Sequence, residues 1–262
     1  MTLRMNAFFV FMGVFFILVS GCLAPLSPAP PQMTQNTTVP TAAPETTSLP
    51  ATPGAVFTRD EVGELFVDIA FGCDTTQVYM FVPSSENHLF FSLEGQVNDH
   101  DMGYVRQFTK AYNLLTAVEV FTEDPLNSRG SPIILYPRES LKSLDKRFIA
   151  CQETDPESGD PLYLVYMPVE KTPSGVEETT TRIYLNAALQ GAERDHYLQK
   201  AMLYYLGFPG ETYTYPNSFF YYDTNTTLEF TPLDTEAMKT MYHPGVYPGM
   251  SVQEIRWLLL ND

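Results

Sequence analysis

The stretch HYLQKAMLYYLGF, His196–Phe208, does most to limit what this chain can fold into. Leu198, Ala201, Met202, Tyr205 and Leu206 recur at i, i+3, i+4, i+7 and i+8, which is one apolar stripe of an amphipathic helix. Gly207 stands where a left-handed C-cap belongs, and Pro209 blocks any continuation. The rest of the chain reads as the surroundings of this central helix.

Before it, Thr58 and Glu61 predict a capping box that opens a helix with Leu65, Phe66, Ile69 and Ala70 on its apolar face. Gln77–Val82 and His88–Leu93 read as strands, the second ending in a turn glycine. Asp99–Ala117 carries a helical stripe of Met102, Val105, Phe108, Ala111, Tyr112 and Leu115. Val118–Phe121 and Ile133–Tyr136 are short β-like runs around a polar loop with Pro125, Asn127 and Gly130. Leu162–Met167 and Thr180–Leu185 flank a turn-rich segment, Glu170–Glu178, and are expected to pair as a hairpin. After the central helix come an aromatic loop at Glu211–Asn217, a short helix at Leu233–Met241, and a last helix at Ser251–Leu260 boxed by Ser251 and Glu254. This order predicts a mixed α+β layout, with the long early helix backing a twisted mixed sheet.

The N-terminus has a different composition. Arg4, the apolar run Ala7–Val19 and the small residues Val19-Ser20-Gly21 before Cys22 form a secretory signal whose core is too short to span a bilayer comfortably. The four residues ending in Cys22 resemble a lipobox, which implies cleavage before Cys22 and a lipid on its sulfur. An ordinary cleaved signal, or an uncleaved anchor beside an incidental cysteine, is the other reading. Each version puts the remaining chain outside the cytoplasm. Residues 23–55 are rich in Pro, Thr, Ala and Ser, with Glu45 the only charge, so they read as an extended tether with little to bury. Asn36 and Asn225 head candidate glycosylation sequons. Residues 56–262 are then one folded domain.

Losing Arg4 with the signal turns the formal charge of −16 into −17. Such a balance argues against nucleic acid and against an electrostatic grip on anionic lipid, which leaves a lipid on Cys22 as the membrane contact. Cys73 and Cys151 are the other two cysteines, and outside the cytoplasm they read as a disulfide rather than two free thiols. Neither has a neighbouring histidine or a C-x-x-C partner, so zinc binding or catalysis is not expected of them.

The order of elements and three short stretches resemble the zincin fold, its matrixin-like branch in particular. YLGF at Tyr205–Phe208 stands where the zinc helix of that group ends in Leu-Gly-Leu. FTPLDTEAMKTMYHP, Phe230–Pro244, resembles the helix that follows the methionine turn. SLEG (Ser92–Gly95), YLGF and MYHPGVYPGM (Met241–Met250) also resemble a family of secreted zincin-like proteins of unknown function. The resemblance implies a peptidase-shaped domain, but not peptidase chemistry. A zincin helix carries two histidines at i and i+4 with a glutamate beside the first. Those positions here are Lys200, Ala201 and Tyr204; the third-ligand position is Gly210, and the methionine-turn region reads Ser218-Phe219-Phe220.

The histidines have structural readings. His196 is expected to be a partly exposed helix-face residue, His100 lies with Asp99 and Asp101 at a helix start, His88 opens a strand and His243 sits in a Pro-rich turn. A shifted metal site using Glu193, Asp195 and His196, or a cation held by Asp99–Asp101, is the alternative and would make the protein an atypical metal-dependent hydrolase or peptidase. Lys200 and Tyr204 share a helix face and have the makings of an acid–base pair, against which stands a plain structural role. Tyr204, Tyr205, Tyr213, Tyr215, Phe219, Phe220, Tyr221 and Tyr222 crowd this region. They close the core, or they present a surface for a protein or glycan, for which Lys200, Tyr204, Tyr213, Tyr215, Tyr221 and Tyr222 are the candidate residues. The expectation is a lipid-anchored extracellular binding or envelope module, with no catalytic residues, cofactor or metal assigned.

Overall fold

Five strands build the central sheet of this computed structural model, which describes residues 57–73, 77, 78, 88–118, 120, 128–171, 175, 177–222 and 226–261, all within the unit Thr52–Asp262. Helix α1 (Arg59–Ala70) precedes strand β1 (His88–Gly95), helix α2 (Asp99–Thr116) and strand β2 (Ser128–Tyr136). Helix α3 (Arg138–Lys142), a single 3-10 turn, and strands β3 (Ile149–Thr154) and β4 (Pro161–Tyr166) follow. A two-stranded ribbon of β5 (Val169–Lys171) and β6 (Glu177–Thr179) leads to β7 (Arg182–Asn186), and then to helices α4 (Gly191–Tyr205), α5 (Pro232–Thr240) and α6 (Val252–Asn261). The sheet order is β1-β2-β7-β4-β3; β1, β2 and β7 run parallel, and β4 is antiparallel to both β7 and β3. The chain is therefore a mixed α+β protein.

Period-two alternation sorts the strands between two layers. Ile133, Leu135, Ile183, Leu185, Tyr163 and Val165 join the large core with the faces of α1, α2, α4 and α5. Ile134, Tyr184 and Leu164 point to the other side, where Leu141 of α3 closes a smaller cluster. Leu198 and Met202 of α4 are fully buried against the large core. Each contributes about 1.5–3 kcal/mol by leaving water.

Local chemistry sets the helix ends. Thr58 and Glu61 cap each other at α1, and Ser251 and Glu254 do so at α6, as their spacing predicts. Two further boxes open α2 and α5, from Asn98 with Asp101 and from Thr231 with Asp234. The predicted pairing of Leu162–Met167 with Thr180–Leu185 is seen as β4 against β7, with Tyr166 opposite Arg182.

Other expectations need correction. The buried stripe of α2 is Asp101, Val105, Phe108, Tyr112 and Thr116; Met102 and Ala111 face solvent. Strand β3, helix α3 and the β5–β6 ribbon lack strong apolar periodicity and are legible only in the folded chain: β5 and β6 are exposed along their whole length. Val78 is not in a strand; its N–H and carbonyl bond the backbone of Met250 and Gly249. Residues 79–82, the run Val118–Phe121 beyond Val118 and Val120, Cys22, the tether, and the sequon residues Asn36 and Asn225 lie outside the described residues. No helix among the described residues is long and apolar enough to cross a membrane.

Candidate functional site

Helix α4 is not amphipathic, contrary to its sequence pattern: Arg194–Gln199 and Ala201–Tyr205 are all buried. The helix ends as expected. Gly207 has φ +100°, its N–H bonds the carbonyl of Tyr204 at 3.0 Å, and the N–H of Phe208 bonds that of Leu203 at 3.0 Å. Those two bonds make a Schellman cap, which only a residue tolerant of positive φ completes easily. The cap turns the chain sharply into the loop that carries Glu211. Lys200 is the exception in the buried run, and it faces a pocket of about 310 Å³.

Three elements meet there. Lys200 comes from α4, Glu153 from β3, and Glu211 from the loop after the Gly207 turn. The Lys200 ammonium bridges an oxygen of Glu153 and an oxygen of Glu211, and lies 5.9 Å from the centre of the Tyr163 ring. Burial works against a charged lysine, but the two carboxylates outweigh it and hold the Lys200 pKa above its ordinary 10.5. Tyr197 also hydrogen-bonds Glu153, and burial lifts its phenol far above the usual range. The disulfide Cys73–Cys151 forms part of the wall, joining the chain after α1 to β3.

A close backbone crossing shapes the other side of the pocket. The N–H of Gly210 bonds the carbonyl of Ile69 at 2.9 Å, and a Cβ on Gly210 would lie 2.0 Å from the carbonyl oxygen of Asp68. Gly72 meets the same crossing, where a Cβ would lie 2.5 Å from Cα of Gly210. Thr212, fully buried, donates to Asp68 at 2.8 Å and accepts from the N–H of Thr214. Gly210 is thus required for close approach and lies where no side chain fits.

The tyrosines divide. Tyr204 is buried in the core, so the suggested pair with Lys200 gives way to the pairing of Lys200 with Glu153 and Glu211. The Tyr215 hydroxyl reaches the carbonyl of Glu61, and Tyr221 is half-buried. Tyr213 is 71% exposed and Tyr222 49% exposed, with ring centres 4.4 Å apart and planes inclined by 24°. Of this pair Tyr213 lines the pocket. Phe219 and Phe220 are core residues; Ser218 donates to Asp234 at 2.5 Å, fastening this loop to α5.

Comparison with protein-family models, with known proteins and with solved structures finds no match.

The alternative metal site is not assembled. His196 is buried rather than partly exposed, with Nδ1 donating to the carbonyl of Thr227 at 2.9 Å and its ring 4.8 Å from that of Phe219. Asp195 instead meets His100, whose Nε2 lies 2.7 Å from its carboxylate. Asp101 is committed to Arg194, so Asp99-His100-Asp101 does not converge on a shared point. Among the described residues no group of three or more His, Cys, Asp or Glu has a metal-holding arrangement. Glu153 and Glu211 were missed from the sequence, because they are far apart and only the buried lysine reveals the need for them.

Proposed function

We propose that the chain is a lipid-anchored extracellular protein whose zincin-like domain is a non-catalytic binding module, with the pocket beside Lys200 as its ligand site. The observation that carries this reading is the Lys200 cluster. At the helix position where the zincin resemblance calls for a metal-binding histidine, the side chain is a cation already neutralised by Glu153 and Glu211. Ala201 and Tyr204, at the other two positions, are packed into the core. The exposed Tyr213–Tyr222 stack at the pocket rim supports a recognition role toward a protein or glycan, since tyrosine offers contact area with a polar edge at low entropic cost.

Elemental analysis of the purified full chain tests this reading. Substoichiometric zinc, unchanged in His196→Ala and His100→Ala, is expected; one zinc per chain lost in either variant would favour the metal-dependent hydrolase. Placement is tested by Cys22→Ser, which should move the protein from the membrane fraction to the medium. Unchanged membrane retention would exclude the lipid anchor.

A further inference from the structure

We infer that the pocket beside Lys200 receives an organic cation, an alkylammonium or guanidinium group of the size of a basic side chain, seated between Tyr213 and Glu211. This rests on the reading of the pocket as a ligand site, and it names the ligand's chemistry.

Charge gives the first argument. The lining contributes two carboxylates, Glu153 and Glu211, against the single ammonium of Lys200, so one negative charge is left over. The chain as a whole stands at −16, and its field draws cations toward the pocket and repels anions. Glu153 is shared between Lys200 and Tyr197, whereas the side-chain donor to Glu211 among the described residues is Lys200. The second oxygen of Glu211 therefore keeps its acceptor capacity, and Glu211 lines a pocket with room for a donor.

The walls give the second. Phe71, Tyr163, Phe208 and Tyr213 all line the pocket, and aromatic faces attract cations within about 6 Å of the ring centre. Lys200 already uses Tyr163 in this way at 5.9 Å. Among the described residues the Tyr213 ring stacks on Tyr222, which covers one face and orients it. A cation between Tyr213 and Glu211 would meet a π-face on one side and a carboxylate on the other. A neutral apolar group would leave the second oxygen of Glu211 without a donor, and an anion would meet the surplus negative charge. The volume of about 310 Å³ is at the small end for ligand pockets and suits a side-chain-sized group.

Saturation-transfer NMR on the full chain tests the inference, with n-butylammonium as probe and n-butanol, butyrate and maltose as controls. n-Butylammonium should bind best, and Glu211→Gln and Tyr213→Ala should each weaken it about fivefold to tenfold. Lys200→Gln, which raises the surplus charge, should instead strengthen it. Equal binding of n-butanol, or undiminished ammonium binding in Glu211→Gln, would overturn the cation assignment. Maltose binding lost in Tyr213→Ala, with no response from n-butylammonium, would overturn the assignment while leaving the ligand site standing. Failure of every probe would overturn both.

Discussion

Replacing Arg194 with methionine is expected to destabilise the domain by about 3–5 kcal/mol, the cost of stranding one partner of a buried ion pair. Arg194 and Asp101 are 4% and 0% exposed. The guanidinium donates to the two oxygens of Asp101 at 2.6 and 2.7 Å, and to the carbonyls of Gln96, Ala187 and Leu189 at 3.0, 2.9 and 3.2 Å. One side chain thus ties the start of α2 to the chain leaving β1 and β7 and to the first turn of α4. Methionine fills much of the volume but supplies no donor. Asp101 would keep the N–H of Asn98, and Gln96, being exposed, can bond water, which sets the lower end of the range.

The same substitution should reverse a pH dependence. Burial pushes the Asp101 pKa up, but the hydrogen bonds from Arg194 and Asn98 outweigh it and hold the group below its ordinary 3.8. In the native chain this contribution is complete above the unfolded value and is lost as pH falls through the folded one. Without Arg194 burial dominates, the pKa rises, and stability falls as pH climbs through the raised value. Urea unfolding followed by far-UV circular dichroism at pH 7 and pH 5 reads both effects: the gap between variant and native chain should narrow at pH 5. The double variant Asp101→Asn with Arg194→Met should lose less than the sum of the singles. A loss below about 1 kcal/mol for Arg194→Met, or strict additivity, would refute the reasoning.

Other substitutions probe separate features. Gly210→Ala forces a Cβ into backbone oxygens of Asp68 and Phe71, 2.0 and 2.4 Å away, and should cost about 1–3 kcal/mol or more; an unchanged melting temperature would refute the crossing. Cys73→Ala with Cys151→Ala should cost about 2–5 kcal/mol, and unreduced denatured protein should show no thiol from either cysteine; two titratable thiols would refute the bond. Burial, opposed by the Thr227 carbonyl and aided by the charge of Lys200, lowers the His196 pKa below 6.5. The unfolded chain therefore takes up the proton first, so this contribution is complete above about pH 6.5 and lost as pH falls toward the folded value. His196→Phe should flatten the decline in melting temperature between pH 7 and pH 5, and an identical slope would refute the burial effect.

Much of the fold was legible because capping chemistry and period-two strands are local signals. Thr58–Glu61, Ser251–Glu254 and Gly207 announce helix ends within a few residues, and β4 and β7 alternate strongly enough to be found as partners. Strand β3 was not legible, because it carries an exposed Gln152 and a half-buried Glu153 and is fixed by pairing with β4. Helix α4 misled in a different way. Its apolar stripe is real, but Arg194, His196 and Gln199 on the remaining sides are buried too, and each is made tolerable by a partner 29 to 98 residues away in sequence.

That long-range satisfaction also explains the site. A lysine in a helix buried on nearly every side carries a desolvation cost that sequence-local neighbours cannot offset, so its partners must come from other elements. The Schellman turn at Gly207 and the close crossing at Gly210 bring Glu211 back over α4, and the pairing of β3 with β4 brings Glu153 to the same point. The two carboxylates exceed what one ammonium needs. If Lys200 served stability alone, a single glutamate would neutralise it and the second would only add repulsion. The surplus charge, placed beside an exposed aromatic rim, is better explained by a second cation that comes from outside the chain.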